Sequence, residues 1–475
     1  MELLLILLPF VSLLLLNLPI KRWGRRFGFW VVLAVALLQI CAVCLPWLNF
    51  FGGDPTGISA LFNIKLAVDG ITKVLLLSIG LVSAAALFTC CGVHGDEEKR
   101  FDFINILLVA LMGMNGIVLV KDLFSMYVFI EVVGIASFIL IAFQKDRDAL
   151  ESSFKYIVFS AIATIIMLSS IALLLLFSAD TSFASLAIAI KGSSANLLVI
   201  FAIAAYISGV LIKGGLMPFH GWLPDAYMAA PNSTSVLLAG IVTKSVGIYP
   251  LIRIVHSVFG YSASMNSVLL AVGAISAVLA AFAAITQSDF KRMLAYSSIS
   301  QVGYIILGLG CGTALGLAAA IFHLFNHSIF KSLLFVNAAA VESRTASRDI
   351  ENMSGLAQKM PWTGATSALA CLSVAGIPPL SGFWSKLLII IALWTSGSYF
   401  YAVIAILASV VTLAYMLTLQ RKVFFGEVAP SLSKVTEAES PFVVPAMVLA
   451  GVLVFVSILF PLLINTFIVP IGGIF

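Results

Sequence analysis

The stretch "LIKGGLMPFHGWLPDA", residues 211–226, continues an apolar run that begins near residue 197. It places Lys213 at the end of a segment long enough to cross a membrane, where a charge is poorly solvated. Pro218 follows and lacks the amide hydrogen that a continuing helix would use. The stretch therefore predicts a membrane helix that carries a charge and is interrupted beside it.

The composition of the whole chain supports a membrane protein. Of the 475 residues, 61% are hydrophobic and 10% are charged, and the mean hydropathy is +1.14. Soluble domains are nearer half apolar and a quarter charged. Long unbroken apolar runs argue against a barrel, whose strands alternate. We therefore expect an all-α polytopic membrane protein, and the net charge of +5, a loop property, does not indicate nucleic-acid binding.

Runs of ~20 apolar residues predict about fourteen transmembrane helices joined by short loops. The predicted spans are 2–20, 27–47, 72–92, 103–120, 123–143, 155–178, 197–218, 234–257, 265–286, 293–311, 313–340, 363–392, 398–420 and 442–468. Lysine and arginine concentrate in alternate loops, at 21–26, 99–100, 145–155, 291–292, 344–359 and 421–434. By the positive-inside rule these loops are on the inner side, so both termini are predicted on the outer side of the cell (inner) membrane.

The sequence predicts no cofactor and no metal on this chain. It contains no flavin, haem, iron–sulfur or nucleotide motif. Cys41 and Cys44 form a C-x-x-C, but the pair lies in an apolar run without a partner pair. Any redox chemistry is therefore expected to belong to partner chains.

Four lysines, Lys213, Lys244, Lys331 and Lys386, fall inside predicted spans, where Glu131 is the one clearly intramembrane carboxylate. Long lysines sometimes reach an interface, but that explanation does not easily account for all four. One acid cannot neutralise four ammonium groups, and burial of the surplus charge is prohibitive. Some of these lysines should therefore be neutral part of the time, which predicts a proton relay.

A second group of titratable residues lies in "FHLFNHSIFK". His323, His327 and Lys331 recur every four residues and so line one helix face over ~12 Å. Metal binding and a structural histidine pair are alternatives. The sequence shows no third ligand nearby, and a cationic lysine opposes a metal. Proton transfer is favoured because histidine titrates near neutrality.

The stretch "AGIPPLSGFWSK" predicts a second helix break. Pro378 and Pro379 free the carbonyls of Val374 and Ala375, two turns before Lys386. Such carbonyls are expected to hold waters that bridge titratable groups. The two breaks fall in predicted helices seven and twelve, and a repeat of five helices has opposite membrane orientation. This arrangement favours inverted repeats, which are typical of transporters.

Five blocks resemble one known family. They are "DLFSMYVFIEVVG" (122–134), the stretch 211–253, "SDFKRMLAYSSISQVGY" (288–304), "FHLFNHSIFKSLLF" (322–335) and "GIPPLSGFWSK" (376–386). Together they resemble the antiporter-like membrane subunits shared by respiratory complex I (NADH:quinone oxidoreductase), Mrp-type sodium/proton antiporters and membrane-bound hydrogenases. The resemblance extends over roughly residues 60–425 in the expected order.

The resemblance implies fourteen helices and a charged axis across the middle of the membrane. It implies helices 1–3 in residues 1–102, a five-helix repeat in 103–257, its inverted copy in 258–425, and a loop with helix 14 in 426–475. Position by position, Glu131 is similar to the helix-5 glutamate, Lys213 to its helix-7 partner and Lys244 to the helix-8 bridging lysine.

The same comparison extends to the second repeat. His323 and His327 are similar to the helix-11 histidines, and Lys331 is similar to the further helix-11 lysine of some members. Lys386 is similar to the terminal residue of helix 12, which is a glutamate in some relatives.

The predicted function is an ion-translocating subunit of a multisubunit membrane complex, with other membrane subunits as partners. It moves protons, or exchanges protons for sodium. The parent complex would be a redox-driven pump or an Mrp-type antiporter. Two alternatives stay open: a stand-alone secondary transporter of a small solute, and an intramembrane subunit that reacts with quinone.

Overall fold

The computed structural model describes residues 2–18, 21–44, 65–193 and 195–463. Within these ranges the chain is helical, and its only extended pairings are three isolated bridges, so the predicted all-α class is confirmed. Eleven of the described helices are long and apolar enough to cross a membrane. The ends of the predicted spans 2–20, 27–47 and 442–468 lie partly outside the described residues.

The chain divides into two compact units. The first comprises Met1–Ala84, Asp96–Gly215 and Ile241–Tyr261. Its helices are α1 (Glu2–Leu16), α2 (Lys21–Cys44), α3 (Gly70–Val93), α4 (Glu97–Leu119), α5 (Leu123–Ile141), α6 (Arg147–Leu174), α7 (Phe183–Gly192) and α8 (Leu197–Lys213). Helix α3 ends in the second unit.

The second unit comprises Ala85–Gly95, Leu216–Gly240 and Ser262–Phe475. Its helices are α9 (Trp222–Ala229), α10 (Asn232–Phe259), α11 (Ala263–Ile285), α12 (Phe290–Gly310), α13 (Ala314–Thr345), α14 (Pro361–Ala375), α15 (Ser381–Thr395), α16 (Tyr399–Val423), α17 (Ser440–Ile458) and α18 (Phe460–Leu463). Helix α10 begins in this unit and continues into the first.

Both predicted helix breaks are present. Helix α8 ends at Lys213, and α9 begins nine residues later at Trp222. The predicted span 363–392 consists of two helices, α14 and α15, because Pro378 and Pro379 cannot donate the next helical hydrogen bonds. Gly376 follows α14 with φ of 83°, a left-handed conformation that glycine adopts at no steric cost.

A buried amide pair joins four helices of the first unit. Gln39 of α2 and Asn115 of α4 exchange hydrogen bonds of 3.0 and 2.9 Å. Gln39 also donates to the Leu76 carbonyl of α3, and Asn115 donates to the Leu5 carbonyl of α1. Because both amides are bonded to partners, their burial stabilises the helix arrangement.

An ion cluster in the first unit contains a buried guanidinium. The side chain of Arg253, near the end of α10, is only 4% exposed. Its Nη1 and Nη2 bond Asp69 at 2.6 and 2.9 Å, and Lys121 Nζ lies 2.9 Å from Asp69 Oδ2. Burial alone would raise the pKa of Asp69, but the hydrogen bonds and charge of Arg253, with Lys121, hold it well below its usual range.

The Asp69→Asn variant is expected to lose about 3 kcal/mol of unfolding free energy, because it leaves a buried guanidinium without its counter-charge. A thermal unfolding scan of the purified protein measures the loss. Since the pKa of Asp69 is lowered by folding, the pair contributes fully at neutral pH, and its contribution falls only as the pH becomes acidic. Asp102→Asn, at an exposed position of α4, is the control and should leave the midpoint unchanged. An equal midpoint for both variants would contradict the prediction.

Lys291 is a basic residue that the charge pattern counts in an inner loop. In the structure it is 2% exposed and lies in the first turn of α12. Its Nζ donates to the Ala230 carbonyl at 2.7 Å. The apolar stem is buried while the ammonium bonds the carbonyl of the residue that follows α9, which the linear charge pattern does not reveal.

Candidate ion-translocation site

Glu131 and Lys213 form an ion pair in the first unit. Lys213 Nζ lies 2.8 Å from Glu131 Oε1 and also donates to Ser160 Oγ at 2.7 Å. Thr164 Oγ1 donates to the same carboxylate oxygen at 2.7 Å. The lysine is the last residue of α8, where the helix dipole favours a positive charge. The interrupted helix thus positions its terminal charge against a carboxylate of α5.

The two members of this pair differ in exposure. The Lys213 side chain is 2% exposed, whereas the Glu131 side chain is 30% exposed on the surface of the isolated chain. The lysine is therefore enclosed by its own chain, and the carboxylate lies at the boundary of the chain.

Lys244 is fully buried in a distorted part of α10. The helix contains three π-helical segments, Leu238–Val242, Lys244–Ile248 and Val255–Phe259. The Tyr249 amide bonds the Lys244 carbonyl, a spacing of five residues. Pro250 follows directly and cannot supply the α-helical bond to Val246. Single π turns inside α-helices are frequent at functional sites, so the distortion marks Lys244 as a candidate.

The distorted segment contacts the end of α8. A Cβ added to Gly247 would lie 2.4 Å from the Gly214 Cα and 3.1 Å from the Lys213 carbonyl carbon. Real Cβ atoms do not approach so closely, so only glycine permits this backbone contact. It holds the helix of Lys244 against the residues that follow Lys213.

His323, His327 and Lys331 lie on α13 in the second unit and are fully buried. The two imidazole rings are parallel within 2°, with centroids 6.4 Å apart. His323 Nδ1 lies 2.8 Å from Ser385 Oγ of α15. Within the described part of the chain, no third metal-ligating side chain joins the two histidines. The Lys331 ammonium instead contacts Ser297 Oγ of α12.

Lys386 of α15 reaches back across the second break. Its Nζ donates to the Val374 carbonyl at 2.8 Å and lies 3.4 Å from Ser409 Oγ. The ammonium also lies 4.7 Å from the ring centroid of Tyr304, a cation–π contact. The other freed carbonyl, Ala375, accepts from Ser409 at 3.2 Å. The freed carbonyls, expected to hold water, are thus bonded to side chains.

The structure joins some of the predicted residues within each unit. Glu131 and Lys213 are paired in the first, and Tyr304 adjoins both His323 (ring centroids 5.9 Å apart) and Lys386 in the second. No sequence signal marks the supporting polar groups Ser160, Thr164, Ser297, Ser385 and Tyr304. Hydroxyl groups are too frequent in apolar helices for any one to be singled out without a structure.

Comparison with known proteins supports the family resemblance. Residues 120–412 match the family described as "NADH:quinone oxidoreductase/Mrp antiporter, TM". The chain is 33% identical to a Na(+)/H(+) antiporter subunit of Alkalihalophilus pseudofirmus, over 82% of this chain and 78% of the relative. It is 31% identical to an NADH-quinone oxidoreductase subunit of Desulforudis audaxviator, over 84% and 80%.

A solved structure shares the fold over nearly the whole chain. A chain of the Mrp complex from Dietzia sp. DQ12-45-1b superposes with a TM-score of 0.88 at 26% identity, covering 99% of this chain and 97% of the other. Sequence match, relatives and fold agree, and they agree with the five quoted blocks. The chain therefore belongs to the NADH:quinone oxidoreductase/Mrp antiporter family and is an antiporter-like membrane subunit.

Proposed function

We propose that this chain translocates protons as one ion-translocating subunit of a multisubunit membrane complex. The observation that carries the proposal is a buried lysine at each of the two helix breaks. The proton-transfer groups are Glu131, Lys213, Lys244, His323, His327, Lys331 and Lys386. Pro218, Pro378 and Pro379 keep the two helices interrupted.

The two lysines at the breaks differ in their counter-charge. Lys213 bonds the Glu131 carboxylate, which stabilises its protonated form. The described partners of Lys386 are neutral: a carbonyl, a hydroxyl and the Tyr304 ring. A buried ammonium group without a carboxylate releases its proton more readily than one in an ion pair. The two sites thus differ in the charge that surrounds the ammonium group, as transfer from one group to another requires.

The surface position of Glu131 supports a neighbouring membrane subunit. A carboxylate inside a membrane-spanning helix is costly where it faces lipid. Phe124, Val128 and Ile135 of the same helix are also exposed, at 46%, 43% and 51%. An adjoining subunit that covers this face would enclose the carboxylate and leave the ion pair shielded from lipid.

Sodium exchange is a second candidate, because one relative is named as part of a Na(+)/H(+) antiporter. Sodium binds oxygen ligands and is repelled by ammonium groups. Glu131 is already bonded to Lys213, so its oxygens are better suited to an ion pair than to a sodium site. The geometry therefore favours protons on this chain.

The architecture in the membrane is part of the proposal. Fourteen spans in two inverted five-helix repeats would make the α8–α9 and α14–α15 breaks equivalent, each with its lysine. Both termini would then be on the outer side of the cell (inner) membrane, as the positive loops indicate.

The Lys386→Ala variant tests the proposed function. The intact complex is purified from its native membrane, which also identifies its subunits, and is reconstituted into vesicles for proton uptake. The alanine variant should translocate protons about 100-fold more slowly, a usual effect of losing a proton-transfer group. Lys386→Glu should retain part of the rate, because a carboxyl group also titrates.

Lys434→Ala, at an exposed position of the loop before α17, is the matched control and should behave as wild type. Subunit ratios must be equal in all variants. Wild-type pumping by an assembled Lys386→Ala complex would overturn the role of this residue.

A further inference from the structure

Buried polar side chains in the second unit lie between Lys331 and the face that carries the loop 424–439. The start of α12, the end of α13, the start of α14 and the end of α16 meet at this face. The Gly355 amide bonds the Phe425 carbonyl at 3.1 Å, and a backbone β-bridge joins Asp289 to Asp349. We call these side chains the Lys331 polar row. Its members are Thr363, Thr366, Ser367, Asn337, Gln420, Tyr415, Gln301 and Ser297.

The surface end of the row, Thr363, is bonded to Glu437. This half-buried carboxylate accepts from the Trp362 amide and from Thr363 Oγ1, both at 2.7 Å, so it caps the first turn of α14. One turn further into the helix, Thr366 Oγ1 lies 3.1 Å from Asn337 Oδ1 of α13. The side chains therefore lead from solvent toward the interior.

The middle of the row is Gln420 of α16. Its Nε2 donates to Ser367 Oγ at 2.7 Å and lies 3.3 Å from Cys371 Sγ. Ser367 follows Thr366 directly in α14, so the two parts of the row lie at the same depth on neighbouring faces of that helix. Gln420 lies one turn from the end of its helix at the same face.

The inner end of the row reaches Lys331. The Tyr415 hydroxyl lies beside Gln301 and Ser297 of α12. The Lys331 ammonium contacts the same Ser297 hydroxyl and the Leu294 carbonyl, which lies 3.2 Å away in the second turn of α12. The ammonium therefore points toward the end of α12 where the row begins.

Several atoms of the row have no hydrogen-bond partner among the described residues. They are Asn337 Nδ2, Gln420 Oε1, Tyr415 Oη and both amide atoms of Gln301. These residues are 0%, 3%, 1% and 0% exposed, respectively. Buried polar atoms are nearly always bonded, and ordered water bonds those that protein groups do not. A buried water needs two to four polar partners, and the row supplies such groups in succession.

We propose that the Lys331 polar row binds a file of ordered water that connects Lys331 to the face carrying residues 424–439. Each water accepts a proton from one neighbour as it gives one to the next, and Lys331 Nζ gains or loses one proton at the end. The transport role rests on the proposed function, whereas the water path itself does not. Glu437 is the surface end of the path, and Gln420 lies in its middle.

Two substitutions of Gln420 test the transport role. Gln420→Leu fills the position with an apolar group and should slow proton translocation about tenfold or more. Gln420→Ala removes the same amide but leaves space for water, so it should stay within about twofold of wild type. If the amide only stabilised packing, alanine would be at least as harmful as leucine. Equal rates for the two variants would therefore overturn the role. Thr418→Val, at a partly exposed position of α16 outside the row, is the control.

The native thiol of Cys371 reports on the water path directly. In a variant that retains Cys371 alone, silver ions added as the nitrate should react with it. The thiol proton leaves as the sulfur–silver bond forms. A thiol that has bound silver is no longer alkylated after the protein is denatured. The loss of alkylation therefore measures the reaction of Cys371, and the assay does not depend on proton transport. We expect reaction in only one of the two vesicle orientations, the one that exposes residues 424–439.

Two single-cysteine controls complete the experiment. Ser433→Cys, in the exposed loop, identifies the orientation with an impermeant maleimide. Cys311, buried at the opposite end of α12, should not react from that face. If Cys371 stays unreactive in both orientations while Ser433→Cys is labelled, the water path is wrong. If wild-type complex moves no protons but Cys371 still reacts, the path stands and the proposed function fails.

Discussion

Replacing Glu131 with glutamine is expected to slow proton translocation about 100-fold while the complex still assembles. Glutamine keeps the shape of the side chain and still accepts the hydrogen bond from Thr164, but it has no charge. Lys213 would then lose the negative charge that stabilises its ammonium and retain only neutral acceptors, the Ser160 hydroxyl and the glutamine amide oxygen. The pair could then no longer alternate between a paired and a separated state, as a proton relay through these two groups requires.

The measurement is the rate of pH change inside vesicles that contain the intact complex. Thr164→Val is the matched control, because it removes one hydrogen bond to Glu131 and leaves both charges in place. It should reduce the rate only a few-fold, in line with one hydrogen bond of about 1 kcal/mol. A Glu131→Gln complex that pumps at the wild-type rate would falsify the role of the ion pair.

Replacing Lys244 with arginine is expected to stop translocation nearly as completely as Lys244→Ala. Lys244 is fully enclosed by its own chain, where a permanent positive charge is costly. A lysine in such a place can be neutral for part of a transport cycle, but an arginine remains charged in proteins. If the residue transfers protons, an arginine that preserves the charge therefore cannot replace it.

Arginine is also larger than lysine, so further substitutions are needed to separate the loss of proton transfer from steric crowding at this position. Lys244→Met has nearly the shape of lysine and no titratable group, so it should also be inactive. Lys244→His titrates near neutrality and should retain part of the activity. Lys191→Arg, at the exposed end of α7, is the control for replacing a lysine with an arginine and should translocate protons at the wild-type rate. Normal conduction by the arginine variant would make Lys244 a fixed charge, and the relay would fail at that residue.

The fold and the positions of the breaks could be predicted from the sequence because their causes are local. An apolar run of sufficient length crosses a membrane whatever surrounds it. A proline lacks its amide hydrogen in every context, so Pro218 and Pro378 mark the interruptions directly. The candidate lysines stand out for the same reason: a charge inside an apolar run is conspicuous.

The partners of those lysines could not be predicted, because they come from distant parts of the chain. Nothing near Lys386 in the sequence indicates Tyr304, and nothing near Arg253 indicates Asp69. The charge pattern does not reveal that Arg253 and Lys291 are buried by helices packed around them. Periodicity shows which residues share a helix face, but not what that face contacts.

The π-helical segments of α10 have a mechanical consequence. A π turn holds about one residue more than an α turn of similar length. If the turn at Lys244–Ile248 contracted to α geometry while another segment of α10 expanded, the residues between the two would rotate by about 100° around the helix axis. The ends of the helix would remain in place during this rotation. Helix α10 therefore contains enough extra backbone for a side chain in its middle to change direction without any movement of the loops that hold it.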